Sequence, residues 1–102
     1  MKIEYRHVMG DRKKPYSIHE DDAIPAHIRE IILNNSAFSQ PRTFGEKGLG
    51  APEEIEDLII HFDNGEKREF HYYNKGIHYM TYGGEDERPI FQVFACFMSR
   101  TD

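Results

Sequence analysis

The chain has 102 residues, with 18 acidic against 13 basic side chains and a net charge of −5 when its six histidines are neutral. That length supports one hydrophobic core without disulfide or metal staples, and residues 1–102 are read as a single domain. The charge excludes duplex nucleic acid or an anionic membrane as the main partner, because both need a concentrated basic face.

Arg12-Lys13-Lys14 is the one dense basic run, and three acidic clusters outweigh it: Glu20-Asp21-Asp22, Glu53-Glu54-Glu56-Asp57 and Glu85-Asp86-Glu87. A lone Cys96 excludes an intramolecular disulfide and every multi-cysteine zinc pattern. It lies in an apolar run, where a free thiol serves as a small core residue. The N-terminus alternates like a strand and has no apolar leader, and no stretch reaches membrane-spanning length. A soluble cytoplasmic protein is the expectation.

In chain order, Ile3, Tyr5 and His7 alternate with Lys2, Glu4 and Arg6, a first strand with one wet face. Met9 to Lys14 is a polar loop, and Pro15 opens a short second strand in which Tyr16 and Ile18 share a face. The acidic Glu20-Asp21-Asp22 and Pro25 then announce a helix. Ile24, Ile28, Ile31, Ile32 and Asn35 follow the spacing of one buried stripe. Asn34-Asn35-Ser36 ends it, and Phe38 is expected to fold back onto the same core.

Residues 39–54 carry Pro41, Gly45, Gly48, Gly50 and Pro52 and read as a long loop. Its two large apolar residues, Phe44 and Leu49, either tack it to the body or contact a partner.

From Ile55 to Tyr73 the chain reads as a hairpin around Asp63-Asn64-Gly65. A two-residue turn would set Ile60 against Glu69 and mix the faces. A three-residue loop with Gly65 left-handed sets Leu58 opposite Phe70 and Glu56 opposite Tyr72. Leu58, Ile60, Phe62, Phe70 and Tyr72 then share a face, and His61 and His71 fall on the other. A short fifth strand over Ile77 to Tyr82 follows. The acidic Glu85-Asp86-Glu87 lead-in, Pro89 and the broad apolar stripe of Ile90, Phe91, Val93, Phe94, Phe97 and Met98 predict a closing helix over a buried strand.

Chemical signatures are absent from this pattern. His27 and Glu30 share one helical face, but no pair has His-Glu-x-x-His or Cys/His spacing, so no metal or other cofactor is expected. Glu4 and His7 are three apart on a strand and point to opposite faces. Solvated surface histidines account for the count. No serine lies in a Gly-x-Ser-x-Gly context, and Gly45 to Gly50 matches neither phosphate-binding glycine pattern. The protein is therefore expected not to be an enzyme. Aromatics gather around the last strands, but nucleobase stacking sites also need a basic groove.

Ala23-Ile24-Pro25-Ala26-His27-Ile28-Arg29-Glu30-Ile31-Ile32-Leu33, followed by Ser36-Ala37-Phe38-Ser39-Gln40-Pro41, resembles the emfourin pattern of a Leu-Pro-started helix and its Ala-Asp-Phe-Phe-x-Leu-Pro-like end. The hairpin is similar to the family's central one, and Arg88-Pro89-Ile90-Phe91-Gln92-Val93-Phe94 to its closing helix. The first loop lacks the family's Gly-Gly-Phe-like stretch, and the closing Trp is missing.

Emfourins are small bacterial inhibitors of thermolysin-like (M4) zinc metallopeptidases. The resemblance implies a non-catalytic inhibitor with such a peptidase as partner. The expected contacts are Met9, Gly10, Asp11 and Arg12, joined by Phe44 and Leu49. The alternative is an acidic immunity or anti-defence protein that neutralises a toxin or nuclease by surface binding. The expected architecture is α+β: an antiparallel sheet of four or five strands with two helices on one face, in the order β-β-α-β-β-(β)-α.

Overall fold

A computed structural model describes residues 1–9, 14–39, 54–74 and 88–98. It is an α+β arrangement of four antiparallel strands, in the spatial order β2-β1-β3-β4, with helices against one face. Strand β1 spans Lys2–Met9, β2 Ser17–Glu20, β3 Glu54–His61 and β4 Lys67–Asn74. Helix α1 spans Ala26–Asn34, the single turn α2 Ser36–Ser39, and α3 Arg88–Met98. No helix among the described residues is long and apolar enough to cross a membrane.

The expected hairpin register holds. Leu58 pairs with Phe70 and Glu56 with Tyr72. Phe62 N–H donates to the Glu66 carbonyl at 2.8 Å, closing a three-residue loop in which Gly65 has φ +92°. Only glycine adopts that conformation without steric cost, so the apolar alternation and the turn agree on one register.

β1 is central, paired to β3 along its whole length and to β2 from Lys2 to Tyr5. It runs to Met9, two residues past the apolar alternation, because cross-strand bonds to β3 continue through Val8↔Ile55 and Met9↔Glu54.

The odd positions of β1 face the helices. Ile3, Tyr5, Leu58, Ile60 and Phe70 meet Ile24, Ile28 and Ile32 of the α1 region and Ile90, Val93, Phe94 and Phe97 of α3. Tyr5 stacks edge-on to Phe94 at 6.2 Å, and Phe38 folds back edge-on to Phe70 at 5.2 Å. The closing segment is thus the helix that its spacing predicts.

The approach to α1 differs in detail from the sequence reading. Asp21–Ala23 form a separate 3-10 turn, and Pro25 caps α1 with ψ 140° instead of sitting inside its first turn. The expected loop is shorter at both ends, since Ser39 closes α2 and Glu54 opens β3. Its interior and the expected fifth strand lie outside the described residues.

Candidate functional site

Three polar groupings hang on this sheet. The first is where β1 ends. Met9 is 68% exposed, and its strand partner is Glu54. Lys14 Nζ donates to the His7 carbonyl at 3.0 Å, tying the far side of the 10–13 connection back to the strand it left. Of the expected contact residues, only Met9 is described; Gly10, Asp11, Arg12, Phe44 and Leu49 lie outside the described residues.

Just before Met9, on the helix-facing side, His7 Nε2 lies 2.8 Å from Glu54 Oε2. Glu56, the cross-strand partner of His7, accepts from the Tyr5 hydroxyl at 3.3 Å. One donor atom from each of His7, Glu54 and Glu56 lies within 4.8 Å of the other two, and all three side chains are half-buried. Burial, reinforced by the Glu54 charge, pushes the Glu56 carboxyl above the ordinary range against the pull of His7 and Tyr5.

The second grouping is on the opposite face. Asp57 is 1% exposed there, flanked by buried Val8 and Ile55 on the same side of the sheet. Arg6 Nε donates to Asp57 Oδ2 at 2.9 Å, and Arg6 Nη2 donates to the same oxygen. His71 Nδ1 lies 2.6 Å from Asp57 Oδ1, while its Nε2 lies 3.1 Å from Glu69 Oε1. Tyr16 reaches Asp57 with its hydroxyl at 3.5 Å and holds Arg6 over its ring at 4.5 Å.

With a carboxylate on each ring nitrogen, His71 satisfies both only as the imidazolium. Burial alone would lower its pKa, but Asp57 and then Glu69 outweigh burial and hold it above the ordinary histidine value. Burial likewise works to raise Asp57 and Glu69. Asp57 is nonetheless held low by His71 and Arg6, and Glu69 by His71 and Lys67. Burial first, then the Asp57 charge, raises the Tyr16 phenol.

The third is a shallow groove at the other end of the sheet, lined by Met1, Lys2, Glu20, Asp21, Asp22, His61, Phe62 and Asp63. The Met1 ammonium pairs with Asp21 at 3.1 Å and with Asp63. His61 Nε2 meets Glu4 Oε2 beside it at 2.5 Å.

Among the described residues, three of the histidines are therefore not simply solvated. His7, His61 and His71 each face a carboxylate across strands, whereas His27 and Glu30 are exposed on α1. Sequence spacing missed these groups because their members are 47, 57 and 14 residues apart. The available signal was register: placing Leu58 opposite Phe70 already sets Asp57 beside His71. No family model, curated protein or solved structure matches the chain.

Proposed function

We propose that this protein is a non-catalytic binding module that inhibits a thermolysin-like metallopeptidase, using the segment that leaves β1 at Met9. The supporting observation is the anchoring of that segment. β1 is paired through Met9, and Lys14 bonds back to the His7 carbonyl. A contact loop whose two ends are fixed loses less freedom on binding, so more of its contact energy appears as affinity. Within the loop, Gly10 allows close backbone approach to a partner, and Arg12 offers a charged contact.

The test is a peptidase assay with a thermolysin-like enzyme, titrated with this protein after varied preincubation. Stoichiometric inhibition is expected, and it should disappear when Gly10, Asp11 and Arg12 are all replaced by Ala while the melting temperature moves only a few degrees. Inhibition undiminished in that variant removes the segment from the account, and no inhibition of several such enzymes removes the target.

A second reading, an acidic decoy that neutralises a toxin or nuclease, draws on the groove where Glu20, Asp21, Asp22 and Asp63 gather. Salt separates the two. Binding through a seated loop should change little between low and high salt, whereas a decoy steered by its charge should weaken steeply.

A further inference from the structure

We propose that His7, Glu54 and Glu56 form a binding site for one divalent transition-metal ion, with zinc the ion that their chemistry fits best. The site stands apart from the inhibitor reading and rests on the geometry of two strands. His7 and Glu56 are direct cross-strand partners, and Glu54 lies two residues along β3 on the same side of the sheet. Their donor atoms lie within 4.8 Å of one another. Ligand atoms about 2.0–2.2 Å from a common zinc lie roughly 3.3–3.6 Å apart, so side-chain rotation of about an ångström closes the cluster around an ion. The backbone need not move, because the β1–β3 pairing runs unbroken through His7↔Glu56 to Met9↔Glu54.

The donor set selects the ion. One imidazole nitrogen with two carboxylates suits zinc, cobalt or manganese, whereas calcium and magnesium favour all-oxygen shells. The Glu56 carboxylate accepts from a neutral phenol hydroxyl and the His7 imidazole lies against Glu54, so one ring nitrogen and two carboxylates stand together, half-buried. A dication is the charge type that this donor set favours. The buried Tyr5 hydroxyl engages Glu56 Oε2 and leaves Oε1 to ligate, the outer contact that orients a metal-binding carboxylate. Three protein ligands leave a further position for water. A bound ion would also cross-link β1 to β3 immediately before Met9.

The experiment uses the whole chain, stripped with chelator and titrated calorimetrically with zinc chloride. One equivalent should bind, magnesium should not compete, and His7→Gln and Glu56→Gln should each weaken binding roughly tenfold or more, with His27→Gln unchanged. A second measurement needs no variant. Cobalt(II) added to the wild-type protein should broaden the amide resonances of residues 6–8 and 54–57 first. The proposal fails if the wild type takes up no zinc, or if uptake is undiminished in both ligand variants. It also fails if cobalt broadening centres on the Asp21 and Asp63 groove. Supplying zinc in excess during the peptidase assay keeps inhibition by contact distinct from removal of the enzyme's metal.

Discussion

Asp57→Asn tests the physics of the sheet's second face most directly. The substitution keeps the size of the side chain but removes its charge and turns one acceptor oxygen into a donor. In the native protein Oδ2 receives two bonds from Arg6, and Oδ1 faces His71 at 2.6 Å. An asparagine amide can accept for one of these partners and must present N–H groups to the other. Each charge-assisted hydrogen bond contributes about 1.5–3 kcal/mol, and breaking a buried ion pair from one side costs about 3–5 kcal/mol.

Arg6 and His71 keep 19% and 17% of their side-chain surface, so water recovers part of their hydration. The expected loss is about 3 kcal/mol, a large share of a typical stability of roughly 5–15 kcal/mol. Equilibrium urea unfolding near pH 6 measures it, with an unchanged m-value required for the comparison. Replacing Arg6, Asp57 and His71 together by apolar residues of similar volume should recover much of the loss, since no stranded charge remains. A loss below about 1 kcal/mol for Asp57→Asn would refute the reasoning, because the network would then be no stronger than an exposed pair.

The same network fixes a pH dependence. His71 is held above 6.5, so its contribution is complete below that value and fades as pH rises through its folded pKa. Asp57 and Glu69 are held below 3.8 and 4.5, so theirs is present above those values and fades as pH falls through the folded ones. The melting temperature should therefore peak between about pH 4.5 and 6.5, and His71→Gln should flatten the alkaline side. Gly65→Ala should cost roughly 1–2 kcal/mol in urea unfolding from backbone strain alone, since an added Cβ meets nothing within 4 Å. Phe38→Ala should cost about 3–5 kcal/mol if α2 is held by its ring against Phe70, and a cost near zero would detach that turn from the core.

The helix-facing side was legible because its signals are local and periodic. Leu58, Ile60 and Phe70 fall on one face in only one hairpin register, and Gly65 supplies the left-handed residue that register needs. Ile24, Ile28 and Ile32 announce α1 in the same way. The second face was not legible, because Arg6, Asp57 and His71 each look like ordinary solvated charges within their own segments. Their burial depends on β1 lying between β2 and β3, a spatial order that no local pattern encodes. Val8 shows the same effect on a smaller scale. It breaks the alternation of Ile3 and Tyr5, yet it is buried because it belongs to the opposite face.

Both candidate sites depend on a single register, and the two faces enforce it together. Sliding β3 by one residue along β1 would turn Asp57 into the apolar core and carry Leu58 and Ile60 to the other side. It would also remove Glu54 and Glu56 from His7. Apolar burial alone penalises that slip, and a carboxylate forced into the core without Arg6 and His71 penalises it further. The polar network thus excludes the wrong pairing as well as contributing to the right one. That exclusion keeps His7, Glu54 and Glu56 together and keeps the strand leading to Met9 in place, whatever Met9 goes on to contact.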